Sequence, residues 1–121
     1  MAKEYVEKLS AFITKATSKM PGKINLECKH LFSGAALYAD DRICVTLTPV
    51  GLAIKLPETT REMLIRNHKA LPLQYFPKSP IKKGYALFPG GIASGGTMLH
   101  KYVKESIEYV LTIPLPHNIQ K

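Results

Sequence analysis

The stretch Gly90-Gly91-Ile92-Ala93-Ser94-Gly95-Gly96-Thr97 comes nearest to a reactive motif, because Gly90 and Gly95 to Thr97 reproduce the spacing of a phosphate-cradling loop that opens a helix. In such a loop a lysine before the Ser or Thr carries its ammonium to the terminal phosphates, and here that position is Gly96. Nucleotide hydrolysis is therefore not expected. The same residues suit a plain connection into a helix with Ser94 or Thr97 as N-cap. Free backbone N–H groups there, with His100 and Lys101 near in sequence, give at most a weak anion site.

Cys28-Lys29-His30 offers two metal ligands at a two-residue spacing, but no second pair stands at metal-site spacing. Cys44, His68, His100 and His117 are scattered, so neither a metal nor a cofactor is expected. Both cysteines fall in or beside strand-like stretches, whereas a thiolate nucleophile needs a helix N-terminus or a base set beside it. They are expected to behave as small buried or half-buried hydrophobes without a disulfide. Asp40-Asp41 reads as a hairpin turn rather than an acid/base pair. The residues thus nominate no catalytic group, and the chain is expected not to be an enzyme.

Seventeen Lys and Arg against nine Asp and Glu give a formal charge of +8, which favours anionic partners. Arg61, Arg66 and Lys69 fall on one helical stretch, and Lys78, Lys82 and Lys83 on a nearby connection, so a basic edge can form; Lys101 is a further anion candidate. Basic residues nonetheless run from Lys3 to Lys121, and no helix-turn-helix, zinc-finger or RNA-recognition signature accompanies them. That dispersal shifts the expectation from nucleic acid toward protein contacts, with nonspecific nucleic-acid binding as the alternative. No apolar run is long enough to span a bilayer, and Glu4, Glu7 and Lys8 interrupt any leader-like segment, so a cytoplasmic, non-membrane protein is expected.

The elements that must position these residues follow from apolar period. Tyr5, Val6, Leu9, Phe12, Ile13, Ala16 and Met20 recur at helical spacing, and Pro21-Gly22 ends that helix. Leu31 to Tyr38, Ile43 to Leu47 and Leu52 to Leu56 then read as three antiparallel strands, joined by Asp40-Asp41 and by Thr48-Pro49-Val50-Gly51. Alternation predicts Ile43, Val45 and Leu47 on one face and Arg42, Cys44, Thr46 and Thr48 on the other. In the first strand Phe32, Ala36 and Tyr38 form a second apolar face, open to a partner such as another copy of the chain. Thr59-Thr60-Arg61-Glu62 has capping-box spacing for a short helix ending near His68, with Met63, Leu64 and Ile65 inward. Leu73 to Phe76 and Gly84 to Phe88 are two more strands. Met98, Leu99, Tyr102, Val103, Ile107, Val110 and Leu111 mark a last helix that Pro114 and Pro116 stop, leaving 114–121 a loosely ordered tail. The expectation is one α+β domain over residues 1–121. It has two layers, an antiparallel sheet with helices mainly on one face, in the order α-β-β-β-α-β-β-α.

Lys29-His30-Leu31-Phe32-Ser33-Gly34-Ala35-Ala36-Leu37-Tyr38-Ala39-Asp40, then Leu52-Ala53-Ile54-Lys55-Leu56, then Leu73-Gln74-Tyr75-Phe76-Pro77 resemble, in order, the motifs of the TfoX/Sxy N-terminal domain family. That family shows a basic residue with Met-Phe-Gly-Gly, a Gly-Leu-Tyr-x-Asp strand end, a Leu-Tyr-Leu-Lys-like strand and a Pro-Phe-x-Tyr-like strand. Here Ser33 replaces the first glycine of the pair, Ala36 the glycine before Leu-Tyr, and Leu31 the methionine. The resemblance covers roughly residues 9 to 112. It implies a regulatory or adaptor domain connected with competence (DNA transformation) gene expression, standing without the second, C-terminal domain of longer members. Phe32, Ala36 and Tyr38 are its candidate partner contacts.

Overall fold

The computed structural model describes residues 2–18, 24–31, 34–73, 82–91 and 97–113. They form three helices, α1 (Ala2–Ala16), α2 (Glu58–Arg66) and α3 (Thr97–Val110), and six strands. The strands are β1 (Leu26–Leu31), β2 (Gly34–Ala39), β3 (Arg42–Thr48), β4 (Gly51–Lys55), β5 (Leu71–Leu73) and β6 (Lys82–Phe88). All pairings are antiparallel in a single sheet ordered β1-β2-β3-β4-β6-β5. The α+β class and the succession read from sequence hold. One more strand, β1, precedes the expected three, and Leu31 closes it rather than opening the next.

Turn chemistry fixes the meander. Asp40 and Asp41 both take left-handed backbone angles, φ 48° and 67°, as the two-residue hairpin between β2 and β3 requires. Side chains then alternate. On the inner face Cys28, Leu37, Val45, Ile54 and Ala86 oppose one another across β1, β2, β3, β4 and β6. All three helices cover this face, where Leu9, Phe12, Ile13 and Ala16 of α1, Leu64 of α2, and Leu99, Val103, Ile107 and Val110 of α3 join one buried cluster with it. Each large side chain so buried contributes about 1.5–3 kcal/mol, which makes this layer the main source of stability. A smaller cluster of Ala53, Leu73 and Leu87, flanked by Val50 and Tyr85, lies on the outer face.

Two expectations are corrected. The pairing of β2 with β3 shifts register at Leu37/Tyr38, so Val45 opposes Leu37 while Ile43 opposes Tyr38, and Cys44 is the extra residue. A bulge of this kind turns two successive side chains to one side. Cys44 therefore joins Val45 and Leu47 in the inner cluster, while Ile43 falls on the outer face beside Tyr38. The capping box of α2 does not form: the N-cap is Pro57, without a side-chain cap bond. Thr60 donates instead to Glu105 Oε2 on α3 at 2.7 Å, tying the two helices together. Of the expected inward residues of α2, Leu64 is buried, Ile65 is half-buried and Met63 is exposed. The helix ends at Asn67, and His68 takes φ 61°, as the fading pattern there suggests.

Candidate functional site

Because the described helices share one face, the opposite one is the candidate surface. Its middle row crosses the whole sheet: Lys29, Ala36, Thr46, Ala53, Leu87 and Leu71 stand opposite one another in turn on β1, β2, β3, β4, β6 and β5. At its centre Ala36, Thr46 and Ala53 are small and buried, 0%, 2% and 1% exposed. Beside it runs a second row with larger, half-buried side chains. Tyr38 lies under the Lys29 ammonium, 5.2 Å from the ring centroid, and Tyr85 under that of Lys55, at 6.0 Å. Ile43, turned outward by the bulge, stands between them. Tyr rings on rigid strands give large contact area at small entropic cost, and each cation adds a hydrogen-bond donor at the rim.

The expected partner-contact residues divide. Tyr38 is half-buried and belongs to this row, Ala36 shares its face but presents no accessible surface, and Phe32 lies outside the described residues. Tyr85, Lys55 and Lys29 were not singled out from sequence, although the alternation Tyr85-Ala86-Leu87-Phe88 carries the signal for the first. Ile43 had no such signal, since the bulge at Cys44 is set by tertiary packing. One polar group in the middle row is unusual. The Thr46 hydroxyl is buried without a hydrogen-bond partner, held between Ala36 and Ala53.

The basic candidates do not converge on this face. Arg61 is half-buried on α2 and donates Nε–H to the Leu56 carbonyl at 2.9 Å, so its guanidinium braces the helix entry. Arg66 and Lys69 are exposed at the end of α2, which packs on β6, the strand that begins with Lys82 and Lys83. Lys78 lies outside the described residues. Lys101 is exposed on α3 with its ammonium 5.9 Å from the Tyr102 ring, and the His100 ring meets that of Phe12 at 5.4 Å. Of the glycine-rich stretch, Gly91 ends the turn after β6 with φ 73°, and 92–96 lie outside the described residues.

Both thiols are free. Burial pushes the Cys28 thiol up from its ordinary value. Cys44 is pushed up to about 12, first by burial and then by Cys28, against smaller lowering effects of Lys55 and the Val45 N–H. The two stand on either side of Leu37, one on β1 and one on β3, so two strand spacings of roughly 4.8 Å separate their backbones, beyond disulfide reach. They act as the small hydrophobes expected. Among the described residues no group of three or more His, Cys, Asp or Glu is placed to hold a metal ion, and no helix is long and apolar enough to cross a membrane. No protein-family model matches the chain, and neither a curated protein nor a solved structure matches it.

Proposed function

We propose that this chain is a non-enzymatic regulatory or adaptor domain of the TfoX N-terminal kind, acting in the cytoplasm through protein contacts made by the outer sheet face. One observation carries the reading: among the described residues every helix lies on the other face, and the outer one bears the half-buried row of Tyr38, Ile43, Lys55 and Tyr85. The motif residues support it by their placement, since Lys29 to Leu31 and Gly34 to Asp40 build the β1-β2 hairpin and its exit, and Leu52 to Leu56 fill and leave β4. Deleting the gene in its native host is expected to lower expression of DNA-uptake genes. Wild-type chain restores it, and Tyr38→Glu, which sets a carboxylate into the aromatic row, does not. Unchanged expression on deletion, or full rescue by Tyr38→Glu, overturns the reading.

A second reading, nonspecific nucleic-acid binding, draws on the packing of α2, with exposed Arg66 and Lys69, against β6 and its leading Lys82 and Lys83. It requires affinity that falls steeply with salt and weakens when those four residues become Glu. Absence of duplex and single-strand binding at low salt dismisses it.

A further inference from the structure

The sheet has two edges, and they are built differently. At one, β5 carries Pro72 in the middle of its three described residues and shifts register against β6, which are devices that stop a strand from pairing outward. At the other, β1 runs six residues without proline, glycine or bulge, and among the described residues β2 is the only strand it pairs with. Its side chains alternate, with Leu26, Cys28 and His30 on the inner face and Glu27, Lys29 and Leu31 on the outer.

From this edge we infer that the chain forms a two-fold dimer in which β1 pairs antiparallel with β1 of a second copy, centred on Cys28, joining the two sheets into one. A two-fold axis perpendicular to the sheet keeps inner face with inner face, so the pairing must centre on a residue. Centring on Glu27 sets two carboxylates face to face, and centring on Lys29 sets two ammonium groups so. Centring on Cys28 places Glu27 opposite Lys29 of the second copy, and Lys29 opposite its Glu27. The same two side chains already attract within one strand, at 3.6 Å and about half exposed, so the seam closes a ring of four alternating charges. Like charges would have blunted this edge; alternating ones make it self-complementary.

Helix α1 fits the same axis. It lies over β1 and β2, so with strands about 4.8 Å apart its axis and that of its copy come roughly 10 Å apart, a normal helix packing distance. Phe12 meets His100 of α3 on one flank of α1, and Ser10, Thr14 and Thr17 project from the other, with Glu7 at one end. Thr14 and Thr17 spend their hydroxyls on the Ser10 and Ile13 carbonyls, at 2.9 and 2.8 Å, so burying them leaves no donor unpaired.

The dimer shares Lys29 with the outer-face row, so it is tested by association mass and by Cys28 crosslinking rather than by any effect on gene expression. Sedimentation equilibrium of the full chain is expected to give twice the 13.4 kDa protomer mass. Lys29→Glu opposes two carboxylates twice and should weaken association about tenfold. Adding Glu27→Lys restores the pairing and should recover it. Residues directly opposite in an antiparallel pair stand about 4.5–5.5 Å apart at Cα, within disulfide reach. Diamide, which takes up the two protons and two electrons, should therefore link Cys28 to Cys28 in the wild-type dimer and nothing in Cys28→Ser. A wild-type monomer at several hundred micromolar overturns the inference, as does a dimer that resists Lys29→Glu or fails to crosslink through Cys28.

Discussion

At the residue scale, two buried polar groups on β3 behave in opposite ways because one has a partner and the other does not. The Cys44 thiol donates to the Leu37 carbonyl at 3.4 Å, and the Cys44 carbonyl accepts from buried Ser106 at 3.1 Å, so the bulge is satisfied from both sides. Burial favours the neutral thiol: its pKa is about 12 in the folded chain against 9.0 when exposed. The folded state thus holds its proton more tightly, and the stability this lends is complete below pH 9.0 and lost as pH rises toward 12. Urea midpoints taken between pH 8 and 11 should fall, and fall less in Cys44→Ala once its lower starting stability is subtracted. Thr46 is the contrary case. Its hydroxyl was removed from water without replacement, and Thr46→Val keeps the shape while discarding the hydroxyl. A gain of about 1 kcal/mol in urea unfolding is expected; a loss of that size would show that the hydroxyl finds a partner in solution.

At the scale of elements, glycine matters where backbone passes backbone. A Cβ on Gly34, at the start of β2, would lie 2.0 Å from the Leu47 carbonyl oxygen and 2.9 Å from the Thr48 Cα. Neither can swing aside as a side chain would, so Gly34→Ala must push β2 from β3 and should cost about 3 kcal/mol. Gly91 has the left-handed φ of 73° but nothing within 4 Å of such a Cβ, so Gly91→Ala carries only the backbone strain, about 1 kcal/mol. Thermal unfolding of the two variants should separate them in that order. Helices, turns and most strands were legible because their apolar periods and turn residues are local signals. Two features were not. The bulge at Cys44, which moves Ile43 outward, answers to Ser106 of α3, sixty-two residues away. The entry of α2 likewise depends on Glu105 of α3, which draws Thr60 into an inter-helix bond that no capping pattern encodes. The candidate site inherited this: Tyr38 and Tyr85 were readable from alternation, but that Lys55 meets Tyr85 became visible only once β4 and β6 were known to be adjacent.

At the scale of the whole molecule, the strand order links what the two faces separate. Strands β4 and β6 lie between the helix-covered cluster and the outer one, contributing Ile54, Ala86 and Phe88 to the first and Ala53 and Leu87 to the second. Neither cluster can be lost without stripping one face of the same two strands. Arg42 adds a further tie, donating Nε–H to the Ile113 carbonyl just beyond α3 at 2.6 Å and thereby joining the sheet to the end of its covering helix. One cooperative unit is the physical consequence, with no smaller subset of strands holding a core of its own. Leu87→Ala in the outer cluster and Val103→Ala beneath the helices should therefore move one and the same transition, each by about 2–4 kcal/mol. Far-ultraviolet circular dichroism and tyrosine fluorescence, the latter suited to a chain with six tyrosines and no tryptophan, should report a single midpoint for each variant. Two separated midpoints in Leu87→Ala would mean that the outer layer melts alone, and that Tyr38 and Tyr85 sit on a surface that can come apart before the helix-covered core does.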